Sequence, residues 1–232
     1  MGIQNIVLVH GFWADASCYR AVIAGLVAEG YNVIAVQNSL TSLAEDVAAT
    51  QRAIARLTGP VILVGHSWGG TVITAAGNSD RVAALVYLAA LAPDTDESMV
   101  DLMSRHGTPS PHFQPQDGVV WITQAGVQEV LAGDLTAEEV ALIHATQTPP
   151  SVALPETKLT GTPAWKQKPS WYVVATEDRA VPLALQQELS DRMGARVSSV
   201  AASHLLLLSQ PQVVIDAIKA ASKLEGSGAA DA

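Results

Sequence analysis

The chain contains few of the residues that build disulfide, metal and nucleic-acid sites. Cys18 is the only cysteine among 232 residues, so no disulfide can form within the chain. This cysteine and the 6 histidines do not show the spacing of a zinc site, and we expect neither a metal nor a cofactor. Lys and Arg number 13 against 22 Asp and Glu, a formal net charge of −9 without any basic run, which argues against nucleic acid as a partner.

Long apolar runs and an export signal are also missing. The stretch from Val82 to Ala92 is among the longest apolar runs, far below the roughly 20 residues that a membrane-spanning helix needs. The chain enters an apolar strand pattern by Ile6, with no basic segment and cleavage site before it. We therefore expect a cytoplasmic protein without a membrane span. Its 49% hydrophobic content suits one domain with a large core, and its oligomeric state is left open.

Short β-rich apolar runs alternate with segments of helical periodicity, which is typical of an α/β protein whose mostly parallel sheet carries helices on both faces. Strands are predicted at 5–9, 32–36, 61–64, 84–89, 171–175 and 196–200. Helices are predicted at 17–29, 43–57, 69–78, 182–193 and 211–224. The sequence therefore predicts six strands joined by right-handed crossovers.

Residues 93–169 interrupt this alternation, because prolines are scattered there and no buried strand is evident. Helical pieces are predicted at 97–106, 122–132 and 136–146, the last with Thr136 as its N-cap and Glu139 completing a capping box. The apolar residues of this interval favour a packed helical cap over a disordered linker. We expect one domain over residues 1–225 with this cap inserted, followed by a disordered tail over 226–232.

A candidate nucleophile, Ser67, lies in a Gly-x-Ser-x-Gly motif between a predicted strand and a predicted helix. Such a sharp strand-to-helix turn leaves no room for side chains two residues before and two residues after the serine. Gly65 and Gly69 meet that requirement. The pentapeptide also occurs by chance in unrelated chains, so its flanking strand and helix carry the argument.

A serine hydroxyl needs a general base, and the base needs a third group that fixes its tautomer. His204 follows the last predicted strand, and Asp178 follows the strand before it. Glu177 is the rival acid, but one residue of displacement turns its side chain to the other side of the loop. The order Ser67, Asp178, His204, with each residue at the carboxyl end of a strand, predicts a catalytic triad.

The first predicted strand ends in Val9-His10-Gly11-Phe12-Trp13, where a glycine allows the backbone to turn toward the nucleophile. The backbone amides of Phe12 and Trp68 are the predicted donors of an oxyanion hole. His10 is expected to bond neighbouring loops, and His66 to face inward in a structural role.

With these motifs in place, the chain resembles a small, capped esterase of the α/β-hydrolase superfamily. The segments that carry the resemblance are His10-Gly11, Gly65-His66-Ser67-Trp68-Gly69-Gly70, Tyr87 to Asp94, Asp178 and Ser203-His204. They are similar to the plant methylesterase and hydroxynitrile lyase branch and to related bacterial esterases. The resemblance implies hydrolysis of a small or hydrophobic carboxylic ester through an acyl-enzyme, with a shortened six-stranded sheet.

Two positions depart from the lyases of that branch, which resemble esterases but carry a threonine where this chain has Gly11 and a lysine where it has Leu205. The lyase alternative therefore lacks the group that would stabilise a leaving cyanide. Perhydrolase or cofactor-free oxygenase activity, and a small-molecule receptor that retains a triad, stay open. Trp13, Trp121 and Leu205 are the candidate substrate-pocket residues.

Overall fold

The described residues form eight strands, and six of them make one parallel sheet. This computed structural model describes residues 2–106 and 110–224. The strands are β1 (Asn5–Val9), β2 (Asn32–Val36), β3 (Val61–His66), β4 (Val82–Leu88), β5 (Phe113–Gln116), β6 (Val119–Ile122), β7 (Ser170–Ala175) and β8 (Arg196–Val200). The large sheet has the order β2-β1-β3-β4-β7-β8, and β5 pairs with β6 alone. All six strands predicted for the large sheet are confirmed.

The four central strands are buried along their whole length or nearly so, because their residues are apolar on both faces of the sheet. The edge strands β2 and β8 are more exposed and carry more polar residues. All pairs in this sheet are parallel, so β3, β7 and β8 end on the same edge. At that edge lie Ser67, Asp178 and His204, which follow β3, β7 and β8.

Helices cover both faces of the sheet. They are α1 (Arg20–Ala28), α2 (Leu43–Arg56), α3 (Trp68–Ala76), α4 (Met99–Met103), α5 (Gln124–Gly126), α6 (Ala137–Thr146), α7 (Leu183–Arg192), α8 (Leu206–Ser209) and α9 (Pro211–Ser222). α1 packs against α9, and α2 packs against α3. The helix predicted at 17–29 is divided, because a 3-10 turn over Ala16–Tyr19 precedes α1.

The segment between β4 and β7, here named the cap segment, contains α4, the β5–β6 hairpin, α5 and α6. In addition to the predicted helices, the cap segment contains a hairpin that was not predicted, in which Phe113 pairs with Ile122. Its turn, Asp117-Gly118, has positive φ at both residues, as a type I′ hairpin turn requires. The predicted helix 122–132 therefore begins two residues later, at Gln124, and continues as a π-helical turn to Leu131.

The third predicted cap helix is confirmed as α6, and Thr136 and Glu139 form the predicted capping box. The first is shorter than predicted and is confined to α4. The cap boundaries at 93 and 169 stay a prediction. The predicted tail, 226–232, lies outside the described residues. Across residues 2–106 and 110–224, we find no helix with the length and apolar character needed to cross a membrane.

Candidate active site

Ser67 occupies a strained turn between β3 and α3, with φ at +54°. A side chain on either flanking glycine would collide with backbone. A Cβ on Gly65 would lie 2.5 Å from the carbonyl oxygen of Gly69, and one on Gly69 would lie 2.2 Å from the carbonyl oxygen of Val9. Both glycines are therefore required, because neither position has room for a side chain. The turn presents the Ser67 hydroxyl at the edge of the sheet where β3 ends.

Asp178 and His204 form a buried pair beside this turn. His204 Nδ1 lies 2.8 Å from Asp178 Oδ2, and the two side chains are 4% and 0% exposed. The carboxylate oxygen accepts in this bond, so Nδ1 carries a proton, and in the neutral ring Nε2 then keeps its lone pair. Glu177, the rival acid, is exposed and uses its backbone amide to bond Ala202. The pairing therefore agrees with the choice of Asp178.

The carboxylate of Asp178 is held by three further donors. Oδ1 accepts the backbone amides of Ala180 at 2.7 Å and Val181 at 2.9 Å. Oδ2 accepts the side-chain amide of Gln186 at 3.0 Å in addition to His204. A buried carboxylate with this many donors is fixed in position and satisfied as an anion.

His66 connects His204 to the turn that carries Ser67. Its ring lies against the His204 ring, with centroids 4.6 Å apart, and its Nε2 donates to the His204 carbonyl oxygen at 2.9 Å. Burial holds the pKa of His66 well below the ordinary value, so the ring is neutral. Since His66 immediately precedes Ser67, this contact holds the loop of His204 against the serine turn.

No hydrogen bond joins Ser67 Oγ to His204 among the described residues. Such bonds are often long in the free enzyme and tighten when substrate binds. The structure thus brings Asp178 and His204 into direct contact, and it relates Ser67 to them through His66.

The predicted oxyanion donors are Phe12, in the loop after β1, and Trp68, immediately after Ser67. A Cβ on Gly11 would lie 2.6 Å from Ser67 Cβ, so the loop after β1 runs directly against Ser67. The rings of Phe12 and Trp68 stack with centroids 5.0 Å apart. Within residues 2–106 and 110–224, neither residue's backbone amide donates to another group of the protein. The role of these two amides in an oxyanion hole stays a prediction.

His10 has the predicted structural role. Its Nε2 accepts the backbone amide of Asn38, and its carbonyl oxygen accepts the side-chain amide of the same residue, both at 2.9 Å. These bonds join the loops that follow β1 and β2, so they fix the backbone that leads into Gly11.

Two of the three predicted pocket residues line one narrow cavity of about 30 Å³ between α6 and the loop after β1. Trp13 and Leu205 contribute to it, together with Leu208 and Ile143. Trp13 also binds the cap segment, because its indole donates to the Val120 carbonyl oxygen at 2.7 Å. The cavity is mostly apolar and adjoins the residue that follows His204.

Trp121 lies elsewhere. It is on β6, its side chain is 40% exposed, and it lines neither of the two described cavities. The larger cavity, of about 650 Å³, has Asp178, Ser203, Glu129 and Asp134 among its lining residues. In the part of the chain that the structure describes, no group of three or more His, Cys, Asp or Glu side chains could hold a metal ion.

Comparison with known proteins identifies the family. A model described as "Alpha/beta hydrolase family" matches residues 6–217, a range that includes Ser67, Asp178 and His204. The chain belongs to the alpha/beta hydrolase family. The resemblance to this superfamily and the predicted fold are thereby confirmed.

Relatives of this hydrolase include proteins named as hydrolases and esterases. It is 28% identical over 252 residues to a pyrethroid hydrolase of Sphingobium wenxiniae, covering 94% of this chain and 87% of that protein. It is 30% identical over 124 residues to Methylesterase 1 of Arabidopsis thaliana, covering 47% of each. A crystal structure of a pyrethroid hydrolase from Sphingobium faniae superposes with a TM-score of 0.82 at 25% identity, covering 96% and 98% of the two chains. Ester hydrolysis is therefore supported as the general reaction of this hydrolase.

Two residues near the centre of this hydrolase were missed from sequence, Gln186 as a partner of the acid and Asp46 as a partner of Trp68. A signal existed for each. Gln186 shares the buried side of α7 with Leu185 and Leu189, and Asp46 shares the buried side of α2 with Leu43. A polar residue on the apolar face of a helix needs a buried partner.

Proposed function

We propose that this protein is a serine hydrolase that cleaves small or hydrophobic carboxylic esters through an acyl-enzyme. Ser67 is the nucleophile, His204 the general base and acid, and Asp178 the group that orients His204. The amides of Phe12 and Trp68 form the oxyanion hole. The observation that carries the proposal is the buried bond from His204 Nδ1 to Asp178 Oδ2, at 2.8 Å, beside the serine turn.

In acylation, His204 Nε2 takes the proton of the Ser67 hydroxyl as Oγ attacks the ester carbonyl carbon. The carbonyl oxygen becomes an oxyanion, which accepts hydrogen bonds from the Phe12 and Trp68 amides. The tetrahedral intermediate then collapses, the bond to the alcohol oxygen breaks, and His204 returns the proton to the leaving alkoxide. The alcohol departs, and the acyl group stays on Ser67.

Deacylation repeats these steps with water. His204 removes a proton from a water molecule, whose oxygen attacks the acyl carbon, and then protonates Ser67 Oγ as the carboxylic acid leaves. Asp178 stabilises the imidazolium in both halves of the reaction without taking up its proton. Its four hydrogen bonds support that role, because they keep the carboxylate fixed while the charge on His204 changes.

Apolar side chains beside the loop that carries His204 support a hydrophobic substrate group. They belong to Trp13, Ile143, Leu205 and Leu208, and an apolar acyl or alcohol group could contact them. Leu205 offers no charge next to His204, which favours ester cleavage over chemistry that needs a cation at this position.

The test is Ser67→Ala with p-nitrophenyl acetate and p-nitrophenyl butyrate. We expect hydrolysis to fall by at least about 10⁴-fold, because the nucleophile is lost while the oxyanion hole remains. Ser198→Ala, at an exposed serine on β8, is the matched control and should keep wild-type turnover. Near-wild-type turnover of Ser67→Ala, with unchanged circular dichroism, would contradict the proposal.

A further inference from the structure

A second buried carboxylate lies behind the oxyanion hole and takes no part in the proposed proton transfers. Asp46, on α2, is 0% exposed. Its Oδ2 accepts the indole N–H of Trp68 at 3.0 Å, and its Oδ1 accepts the backbone amide of Leu40 at 3.0 Å. Burial raises the pKa of Asp46 above the ordinary value for an aspartate. A carboxyl group that is costly to bury is thus placed against a residue of the site.

Trp68 connects this carboxylate to both predicted oxyanion donors. Its backbone amide is one of them, immediately after Ser67. Its indole stacks on the ring of Phe12, which carries the other amide, with centroids 5.0 Å apart and planes inclined by 25°. Trp68 is fully buried, so the indole N–H would have no water to bond if Asp46 were removed.

The second oxygen of Asp46 holds the loop that contacts the cap segment. Leu40 has a positive φ of 55°, a strained conformation for a branched side chain, and its amide is held by Asp46 Oδ1. The Leu40 carbonyl oxygen accepts the backbone amide of Ser151 at 2.8 Å. Asp46 therefore joins α2, the serine turn and the loop that meets the cap segment.

We propose that Asp46 is a positioning residue for the oxyanion hole, which acts by fixing the Trp68 indole and, through its stack, Phe12. The inference rests on the proposed function. It predicts that losing the Asp46–Trp68 bond lowers kcat more than it raises KM, because oxyanion contacts are stronger in the transition state than with bound substrate.

The direct variant is Asp46→Asn, which keeps the size of the side chain. The Trp68 indole and the Leu40 amide donate to different oxygens of Asp46, and asparagine places an N–H₂ donor in place of one oxygen, so one of the two bonds is replaced by two facing donors. We expect kcat for p-nitrophenyl butyrate to fall about tenfold with KM within about twofold, the scale of a small displacement of catalytic groups. The control is Asp80→Asn, the same change at an exposed aspartate before β4, which should keep both constants.

Trp68→Phe removes the same bond from the other side and keeps a ring to stack on Phe12. If Asp46 acts through Trp68, this variant loses a similar factor in kcat, and the double variant loses no more than the larger single loss. Multiplied losses in the double variant would overturn the route through Trp68. Should Asp46→Asn fail to fold, Trp68→Phe alone still decides, because full kcat in that variant also overturns the inference.

The outcome for Asp46 can be separated from that for the proposed function. If Ser67→Ala is inactive while Asp46→Asn keeps kcat within about twofold of wild type, the oxyanion inference fails and the serine mechanism stands. If Ser67→Ala keeps its activity, the serine mechanism fails first. Thermal unfolding of each variant checks that a lower kcat is not due to an unfolded fraction of the protein.

Discussion

The side-chain amide of Gln186 donates to Asp178 Oδ2 at 3.0 Å, and the same oxygen receives the bond from His204. Gln186 is fully buried, and it also forms hydrogen bonds to the backbone at both ends of the loop that carries Asp178. Its Oε1 accepts the Ala175 amide at 3.0 Å, and its Nε2 lies 2.8 Å from the Val181 carbonyl oxygen. One side chain of α7 thus fixes both ends of the loop and the carboxylate within it.

Gln186→Leu should lower kcat/KM for p-nitrophenyl butyrate by about tenfold, because the Asp178 carboxylate loses one donor and the loop that carries it loses its hydrogen bonds to Gln186. It should also lower the free energy of unfolding by about 2 kcal/mol, since the Ala175 amide is left without a partner. Steady-state kinetics and urea unfolding measure the two effects. Gln187→Leu, at the exposed neighbouring glutamine, is the matched control. Equal kcat/KM in both variants would rule out a role for Gln186.

The strands were predictable from sequence, and the partners of the site were not. β1, β3, β4 and β7 are nearly continuous apolar runs, so their identity follows from local composition. The order of Ser67, Asp178 and His204 at strand ends was equally readable. Asp46 and Trp68 are 22 positions apart in the chain, and only the packing of α2 against α3 brings them together.

The β5–β6 hairpin was not predicted, because the local sequence signals for and against it conflict. Asp117-Gly118 is a strong hairpin turn, but Pro115 within β5 argues against a strand, and Val119 to Trp121 is short. The hairpin persists because Trp13 holds it from outside, stacking on Phe113 at 4.8 Å and bonding Val120. Contacts of this kind depend on the tertiary fold, so the secondary structure of the cap segment is less predictable from sequence than that of the sheet.

Stability should decrease as the pH falls below about 7. Burial lowers the pKa of both His10 and His66 from the ordinary value of 6.5. The unfolded chain binds protons at these rings near pH 6.5 and the folded chain does not, so their contribution is complete above that pH and is lost on acidification. Each histidine adds up to about 1.4 kcal/mol per pH unit to the slope of the unfolding free energy against pH.

Urea unfolding at several pH values between 8 and 5 measures this dependence. His66→Gln, which retains a donor for the His204 carbonyl oxygen, should show a smaller slope of unfolding free energy against pH than wild type. Measurements at pH 8 supply the reference, because the imidazoles are neutral there in both states. Identical slopes for wild type and His66→Gln would refute the assignment to His66.

Gly11→Ala should abolish most of the activity without unfolding the protein. The added Cβ would lie 2.6 Å from Ser67 Cβ and 3.1 Å from Ser67 Oγ, so the nucleophile or the oxyanion loop must shift. We expect kcat/KM to fall by at least about 100-fold, as for other displacements of reacting groups. Gly133→Ala, whose Cβ would meet nothing nearer than 3.8 Å, should remain active. A Gly11→Ala enzyme with wild-type kcat/KM would show that this loop does not confine Ser67.

The identity of the nucleophile is the central claim, and diethyl p-nitrophenyl phosphate tests it most directly. This phosphate ester traps a serine nucleophile irreversibly, because the diethylphosphoryl group stays on the oxygen as p-nitrophenolate leaves. We predict release of about one equivalent of p-nitrophenolate per chain, with the label found by peptide mass spectrometry on Ser67. Ser67→Ala should release none. A label on another residue, or equal release from Ser67→Ala, would contradict the account.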